Sequence, residues 1–263
     1  MADKWTDGEA YEAYVGRWSR QVAERFLAWL AMPADGTWLE LGCGTGALTG
    51  QILAHCAPRD IIAVEPSESF RAMARQNVTD SRVDFRAGDG AQVPVENATA
   101  DHALSGLVLN FIPDPAAALR ELTRCVKPGG WIAAYVWDYA GHVQFMRAFW
   151  DAAVAQNPAA AERDEGRRFP LCRPQPLCAL FEDAGLQAVE VVPIDIPTPF
   201  ANFDDYWRPF LSSVGPAPGY CSSLDEAARS DIRERLRAAL PTDADGMILL
   251  AARAWAVRGR VGA

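Results

Sequence analysis

At 263 residues, 50% of them hydrophobic and 22% charged, the chain has the size and balance of a soluble globular protein with one large domain. A formal net charge of -9 and a sequence pI near 4.9 set its long-range field against phosphate backbones, so no nucleic-acid partner is expected. No apolar run reaches the roughly 18 residues of a membrane span, and the first residues lack the charged and apolar regions of a leader, so the expectation is a cytoplasmic protein with no membrane partner.

Residues 9 to 31 place Tyr14, Trp18, Val22, Phe26 and Leu30 at intervals of four, along one face of a helix. Tyr14, Arg17 and Trp18 bring a phenol, a cation and an indole together there, so residues 1–36 read as an N-terminal helix that can act as a lid over a bound ligand. Met32-Pro-Ala-Asp-Gly36 breaks it.

From Thr37 strand and helix alternate. Strands are expected at Thr37 to Leu41, Asp60 to Glu65, Arg82 to Ala87, Ala103 to Leu109 and Trp131 to Trp137. Helices are expected at Ala47 to Cys56, at Glu68 to Gln76 behind a Ser67 cap, and from the Pro113-Asp-Pro-Ala opening to Cys125, where Lys127-Pro-Gly-Gly130 stops the run. Such alternation predicts a doubly wound, Rossmann-like α/β sheet with its cofactor-binding core at 37–140. Beyond it, 141–185 reads as a helical segment, with a helix at Phe145 to Gln156, a polar, Pro-containing connection at 157–176 and a short helix ending at Gly185. Leu186 to Ile196 and Met247 to Val257 are expected to be a sixth and a seventh strand. The 197–246 stretch between them, first aromatic and then charged and helical, reads as a helical cap insertion walling a substrate pocket.

The densest signal is Trp38-Leu-Glu-Leu-Gly-Cys-Gly-Thr-Gly46: an apolar strand, an acid, glycines at alternate positions, then a helix. Gly42 and Gly44 allow close approach to the backbone, Gly46 lets the new helix lie near the strand, and the helix N-terminus offers unpaired N–H groups. That arrangement points to a nucleotide-like ligand. By spacing alone Gly42-x-Gly44-x-x-Ala47, with Glu65 following, also fits a dinucleotide fingerprint. Charge separates the readings, because Glu40 just before the glycines would repel a pyrophosphate and attract a ligand that carries a cation. S-adenosylmethionine, with an ammonium and a sulfonium, is such a ligand.

Glu40-Leu-Gly-Cys-Gly-Thr-Gly46 resembles the first motif of the class I S-adenosylmethionine-dependent methyltransferases, of the kind called methyltransferase type 11. Val64-Glu65-Pro-Ser67 resembles the acidic end of that family's second strand, Ala87-Gly-Asp89-Gly-Ala91 the acidic turn after the third, and Arg124-x-x-Lys127-Pro-Gly-Gly130 the turn before the fifth. The resemblance implies a seven-stranded sheet with the last strand antiparallel, and S-adenosylmethionine as cofactor. It further implies that Glu40 meets the methionine ammonium, with Gly42, Cys43, Gly44 and Gly46 running under the ligand. Glu65, with Pro66 and Ser67 beside it, would take the ribose hydroxyls, Asp89 with Gly90 and Ala91 the adenine, and Leu107 or Leu109 the methionine portion.

Methyl transfer from a sulfonium is an in-line displacement that depends on orientation and exclusion of water, and needs a base only for a poor nucleophile. No residue stands out as that base. Asn110, just past the fourth strand, is placed to orient an acceptor, and Asp138 and His142 are the titratable groups near the end of the fifth. Trp137, Tyr139, Phe145, Trp207 and Phe210 are candidates for an aromatic pocket around a small-molecule acceptor. A dinucleotide-dependent oxidoreductase and a non-catalytic binding protein of the same fold remain open on sequence. The six cysteines (Cys43, Cys56, Cys125, Cys172, Cys178 and Cys221) have no Cys-x-x-Cys pair and no His at ligand spacing, so free thiols and no metal are expected.

Overall fold

The computed structural model describes residues 12–262; the first eleven positions of the expected lid segment lie outside them. A π-helical turn at Glu12–Gly16 runs into α1 (Arg17–Leu30), whose Val22, Phe26 and Leu30 are buried as the four-residue spacing predicts. Then come β1 (Thr37–Leu41), α2 (Ala47–His55), β2 (Asp60–Val64), α3 (Glu68–Asn77), β3 (Val83–Arg86), β4 (Ala100–Gly106), α4 (Pro115–Cys125) and β5 (Val126–Trp137). The rest of the chain forms α5 (Gln144–Gln156), α6 (Glu165–Arg168), α7 (Pro174–Asp183), β6 (Gln187–Phe200), α8 (Phe203–Trp207), α9 (Pro216–Ser223), α10 (Glu226–Ala239) and β7 (Ile248–Arg260).

The strands make a seven-stranded sheet in the order β3-β2-β1-β4-β5-β7-β6. β1 pairs in parallel with both β2 and β4, β2 with β3, and β4 with β5. β7 runs the other way: Gly129 N–H donates to the Val261 carbonyl and Asp138 N–H to that of Arg253, so the partner number falls as the β5 number rises. β1 is buried along its whole length and β2 from Ile61 on, as expected of central parallel strands covered on both faces.

The chain divides into two compact units. The sheet unit comprises residues 19–136, 173–194 and 254–262, and the aromatic unit residues 12–18, 137–172 and 195–253. Helix starts in the sheet unit follow their caps: Ser67 Oγ accepts from Phe70 N–H at 3.4 Å, and Asp114 Oδ1 accepts from Ala117 N–H at 2.8 Å with Pro115 in the first turn. The aromatic unit is built on ring contacts, among them Phe149 stacked on Phe210 at 4.6 Å.

Several boundaries differ from the sequence expectation, the larger differences being these. β4 begins at Ala100 and ends at Gly106. Its polar start is hidden because Asp101 Oδ2 accepts from Thr37 N–H and His102 packs on Trp38, and the strand stops where Leu107 turns to φ 61°. β5 already begins at Val126, and the sheet register shifts where Lys127–Gly130 bulges. β6 runs on to Phe200, taking Pro197–Phe200 from the expected cap. Ile194, Ile196, Thr198 and Phe200 alternate inward, and Pro197 and Pro199 are tolerated because β6 is an edge strand. Within 157–176, expected to be irregular, lie a 3-10 turn at Pro158–Glu162, the short α6 and the start of α7, the first two capped by Asn157 and Asp164.

Candidate functional site

β1 has β2 on one side and β4 on the other, so strand order reverses at its carboxyl end. In open parallel sheets this switch point is where a crevice for ligands opens. The glycine loop occupies it. Gly42 N–H donates to the Val64 carbonyl at 2.8 Å, and the loop closes with Gly46 N–H on the Cys43 carbonyl at 2.9 Å. Gly42, Gly44 and Gly46 all have positive φ, 78°, 53° and 87°. Their surroundings differ: a Cβ on Gly42 would lie 2.5 Å from Val108, and one on Gly46 3.1 Å from Val78, whereas one on Gly44 would meet nothing within 4 Å. Gly44 is therefore where the loop presents bare backbone to open space. Asn77 Nδ2 steadies the loop through the Thr45 carbonyl at 2.9 Å.

Two carboxylates flank the loop. Glu40, 1% exposed at the end of β1, accepts from Thr49 Oγ1 at 2.6 Å. Burial pushes its pKa up to about 7 against the pull of the Thr49 hydroxyl, and the charge of Glu65 adds to the rise. Glu65, just past β2, accepts from Gly44 N–H through Oε2 at 3.1 Å and from Ser67 N–H through Oε1 at 3.0 Å. Its pKa is also raised by burial, with those N–H groups and Arg71 pulling the other way. A carboxylate oxygen has about two lone-pair sites, so each Glu65 oxygen keeps room for another donor. Arg71 is buried and clamps this turn, donating to the Glu65 carbonyl and, at 2.9 Å, to that of Pro66.

The other expected cofactor contacts also fall in the sheet unit. Asp89 is exposed, and its Oδ1 accepts from Ala91 and Gln92 N–H at 2.9 and 3.2 Å, forming its own turn with Gly90 buried inside it. Leu107 and Leu109 are buried past the end of β4, Leu107 N–H donating to the Tyr135 carbonyl at 2.8 Å. Asn110 sits on the 3-10 turn Leu109–Phe111, and both of its amide atoms are buried with no hydrogen-bond partner among the described residues. Cys43 is buried and its thiol pushed up in pKa, so it is no nucleophile.

The lid, aromatic and titratable candidates fall in the aromatic unit. Tyr14, Phe145 and Phe210 form one cluster, with Tyr14 edge-on to the other two at 5.9 and 5.4 Å, and Trp207 joins it through Phe210. Trp18 packs on Phe200 at 5.6 Å. Arg17 is committed to Asp205, at 2.9 and 3.2 Å, and lies over the Trp18 ring. Tyr139 packs against Phe169, and Trp137 is buried at the end of β5. Asp138 Oδ1 accepts from Gly141 N–H at 3.0 Å and its carbonyl from His142 N–H, so Asp138 shapes the turn before α5 and His142 sits half-buried within it.

Sequence reasoning passed over Thr49, Asn77, Arg71 and Glu165. Thr49 and Asn77 look like ordinary helical polar residues, but a helix opening at Ala47 turns Thr49 back towards the strand that delivers Glu40. Chemically, two partly protonatable carboxylates beside exposed loop backbone suit a ligand with a cationic centre and hydroxyl donors. They are a poor site for a pyrophosphate.

A family profile described as a methyltransferase domain matches residues 39–134. The 2-phytyl-1,4-naphtoquinone methyltransferase of Thermosynechococcus vestitus is 31% identical over 180 residues, which are 63% of this chain and 79% of that protein. The malonyl-[acyl-carrier protein] O-methyltransferase of Marinomonas sp. is 27% identical over 125 residues, and the match spans 47% of this chain and about half, 46%, of that protein. Among solved structures, a Bacillus halodurans C-125 protein assigned as a methyltransferase matches with a TM-score of 0.61 at 12% identity, covering 92% of this chain and 99% of that one. At that identity the likeness is one of fold.

Proposed function

Because the chain belongs to the class I S-adenosylmethionine-dependent methyltransferases, we propose that it transfers the methyl group of that cofactor to a small-molecule acceptor. The observation that carries the assignment of the cofactor site is the pair Glu40 and Glu65, both buried at strand ends around the open backbone of Gly44. Glu40 would hold the ammonium, which turns its costly buried charge into a paired one. Glu65 would use its remaining lone pairs for the ribose hydroxyls while staying fixed by Gly44 and Ser67. Asp89 already serves Ala91 and Gln92 through Oδ1, which leaves its other oxygen for the adenine amino group. The cofactor, when bound, supplies an electrophilic methyl carbon that an acceptor's lone pair displaces from sulfur in line.

Asn110 is the residue proposed to orient the acceptor. Its donor and acceptor atoms are both buried and unpaired at the carboxyl end of β4, and a ligand carrying a hydroxyl, amine or carbonyl would satisfy them. The net charge of -9 supports a small acceptor over a nucleic acid. The naphthoquinone named as the substrate of the Thermosynechococcus vestitus relative supports the same reading. The decisive experiment is titration calorimetry with S-adenosylmethionine, followed by incubation with a metabolite extract and methyl-labelled cofactor. Saturable binding and label in a low-mass product are expected. Cofactor binding with label only in macromolecules would overturn the small-acceptor reading.

A further inference from the structure

Arg124 makes none of the contacts proposed for the cofactor, yet all of its donors converge on the connection that bears one of them. It lies in the last turn of α4, one turn after Glu121, beside residues 87–99, which carry the Asp89 turn and contain neither helix nor strand. Three successive carbonyls there, those of Val93, Pro94 and Val95, are each held by a guanidinium. Arg124 donates to the Val93 carbonyl at 3.0 Å, to that of Val95 at 2.7 Å and to Asn97 Oδ1 at 2.9 Å, and Arg86 donates to the Pro94 carbonyl at 2.7 Å. Arg124 also donates to the two Glu121 oxygens, at 2.9 and 2.8 Å, and Glu121 Oε2 in turn accepts from Val93 N–H at 3.0 Å. The ion pair therefore grips Val93 by both of its backbone groups.

From Val93 the grip reaches Asp89 through a short, continuous chain. Gln92, the residue before Val93, donates its N–H to Asp89 Oδ1 at 3.2 Å, beside the 2.9 Å bond from Ala91 N–H. The two limbs of the connection also touch, since a Cβ on Gly88 would lie 2.6 Å from Pro94. Gly90 is packed on the opposite side, where a Cβ would meet Ala118 of α4 at 3.0 Å and Ile112 at 3.1 Å. Close packing does not hold the Val93 limb in the same way: a cleft of about 570 Å³ runs along it, lined by Arg86, Pro94, Glu121 and Arg124 among others. With no ladder or helix to fix its backbone, this limb is placed by the arginine bonds, and the Asp89 carboxylate is placed with it.

A carboxylate that accepts from the adenine amino group also repels the carbonyl that hypoxanthine carries at the same position. That repulsion discriminates between the bases only if the carboxylate cannot swing aside into water. We propose that Arg124, acting through Glu121 and the carbonyls of Val93 and Val95, is a positioning residue that holds Asp89 in place and so sets the site's preference for adenine. Its planar fork spans a carboxylate and two carbonyls at once, which the point charge of a lysine does not. The proposal rests on the reading of Asp89 as the adenine acceptor and gives Arg124 no contact with the cofactor. All the residues it uses belong to the sheet unit.

The test uses the full chain and titration calorimetry with two ligands, S-adenosylhomocysteine and its analogue with hypoxanthine in place of adenine. The parent is expected to prefer the adenine ligand at least about tenfold. Asp89→Asn, whose single oxygen is taken by the turn and whose amide then faces the base, is expected to abolish that preference. Arg124→Lys, which keeps the charge without the fork, is expected to cut it several-fold, and Glu121→Gln, which keeps the shape without the ion pair, to cut it less. Thermal melts establish that each variant folds. A merely structural Arg124 would weaken both ligands equally and leave the preference as it was. An unchanged preference in folded Arg124→Lys, with loss in Asp89→Asn, therefore overturns the clamp alone; if Arg124→Lys does not fold, an unchanged preference in Glu121→Gln does so. A parent that does not separate the two ligands, or an Asp89→Asn protein that keeps the parent's preference, overturns the reading of Asp89 and the proposal with it.

Discussion

Glu65 and Gly44 are joined across the switch point: the backbone N–H of the glycine loop donates to Oε2 of the acid that ends the neighbouring strand, at 3.1 Å. The bond makes the loop and the proposed ribose acceptor one rigid body before any ligand arrives, which lowers the ordering cost of binding. Replacing Glu65 by Gln removes the charge and leaves a single acceptor oxygen for two backbone N–H groups. Cofactor affinity in calorimetry should fall at least about tenfold, the size of one charge-assisted hydrogen bond. A dissociation constant equal to that of the parent protein would show that Glu65 does not touch the ribose.

The loop glycines should respond differently to a single methyl group. In Gly42→Ala the new Cβ meets Val108 at 2.5 Å in a backbone with φ 78°, so the melting temperature should drop by several degrees, with Val108→Ala restoring part of the loss. Gly44→Ala carries only the backbone strain of φ 53°, about 1 kcal/mol, because nothing lies within 4 Å of the added carbon. Its main expected defect is weaker cofactor binding. If Gly44→Ala binds the cofactor normally, the open side of the loop is not where the ligand lies.

The parts of the molecule that could be read from sequence are those where one-dimensional pattern and chemistry coincide. β1 and β2 are apolar runs ending in Glu40 and Glu65, and an acid at the end of a buried strand stands out. The parts that could not be read depend on long-range pairing. The start of β4 looks like a loop because Asp101 and His102 are polar, and only the Thr37 N–H and the Trp38 ring show how a strand tolerates them. Likewise Glu165 stands in a charged stretch, Arg163-Asp-Glu-Gly-Arg-Arg168, that reads as a solvated connection. Its burial comes from Trp150, fifteen residues earlier, and no local pattern announces that.

Cofactor binding should depend on pH through Glu40. In the free protein its pKa is pushed up to about 7, so near neutrality about half the molecules carry a proton there. An ammonium favours the ionised form, and binding must therefore expel that proton. Between pH 7 and pH 5.5, where the cofactor's own amine stays protonated, affinity should fall roughly tenfold. Calorimetry in buffers of different ionisation enthalpy should register proton release near pH 7. Glu40→Gln should bind more weakly and lose the slope; a Gln variant with the parent's slope would assign the titration to another group.

Asn110 offers a separation of stability from activity. Its amide atoms are buried without partners, so Asn110→Ala removes no protein hydrogen bond and should leave the melting temperature nearly unchanged or slightly higher. If the amide orients the acceptor, methyl incorporation into the low-mass product should fall about tenfold to a hundredfold while cofactor affinity holds. A large loss of stability with normal turnover would instead make Asn110 a packing residue.

Stability itself should fall as the solution becomes alkaline through neutrality. Glu40 and Glu165 are both held up to about 7 by burial, so the folded chain binds their protons more tightly than the unfolded chain does. For an acid raised in this way the folded state gains most below the unfolded value, and that gain is lost as pH rises through the folded value. Each group thus makes the protein less stable above pH 7 than near pH 4.5, by about 3 kcal/mol. Acids held low by arginines act in the opposite sense, Asp205 through Arg17 for example, and lose their contribution as pH falls below the ordinary carboxylate range. The melting temperature is therefore expected to rise from pH 8 to about pH 5.5 and to fall again in stronger acid. Glu165→Gln carries no charge to bury, so it should melt higher than the parent at pH 8 and show a flatter profile. A Gln variant that melts lower at pH 8 would mean that the ionised acid is already paired in the folded chain.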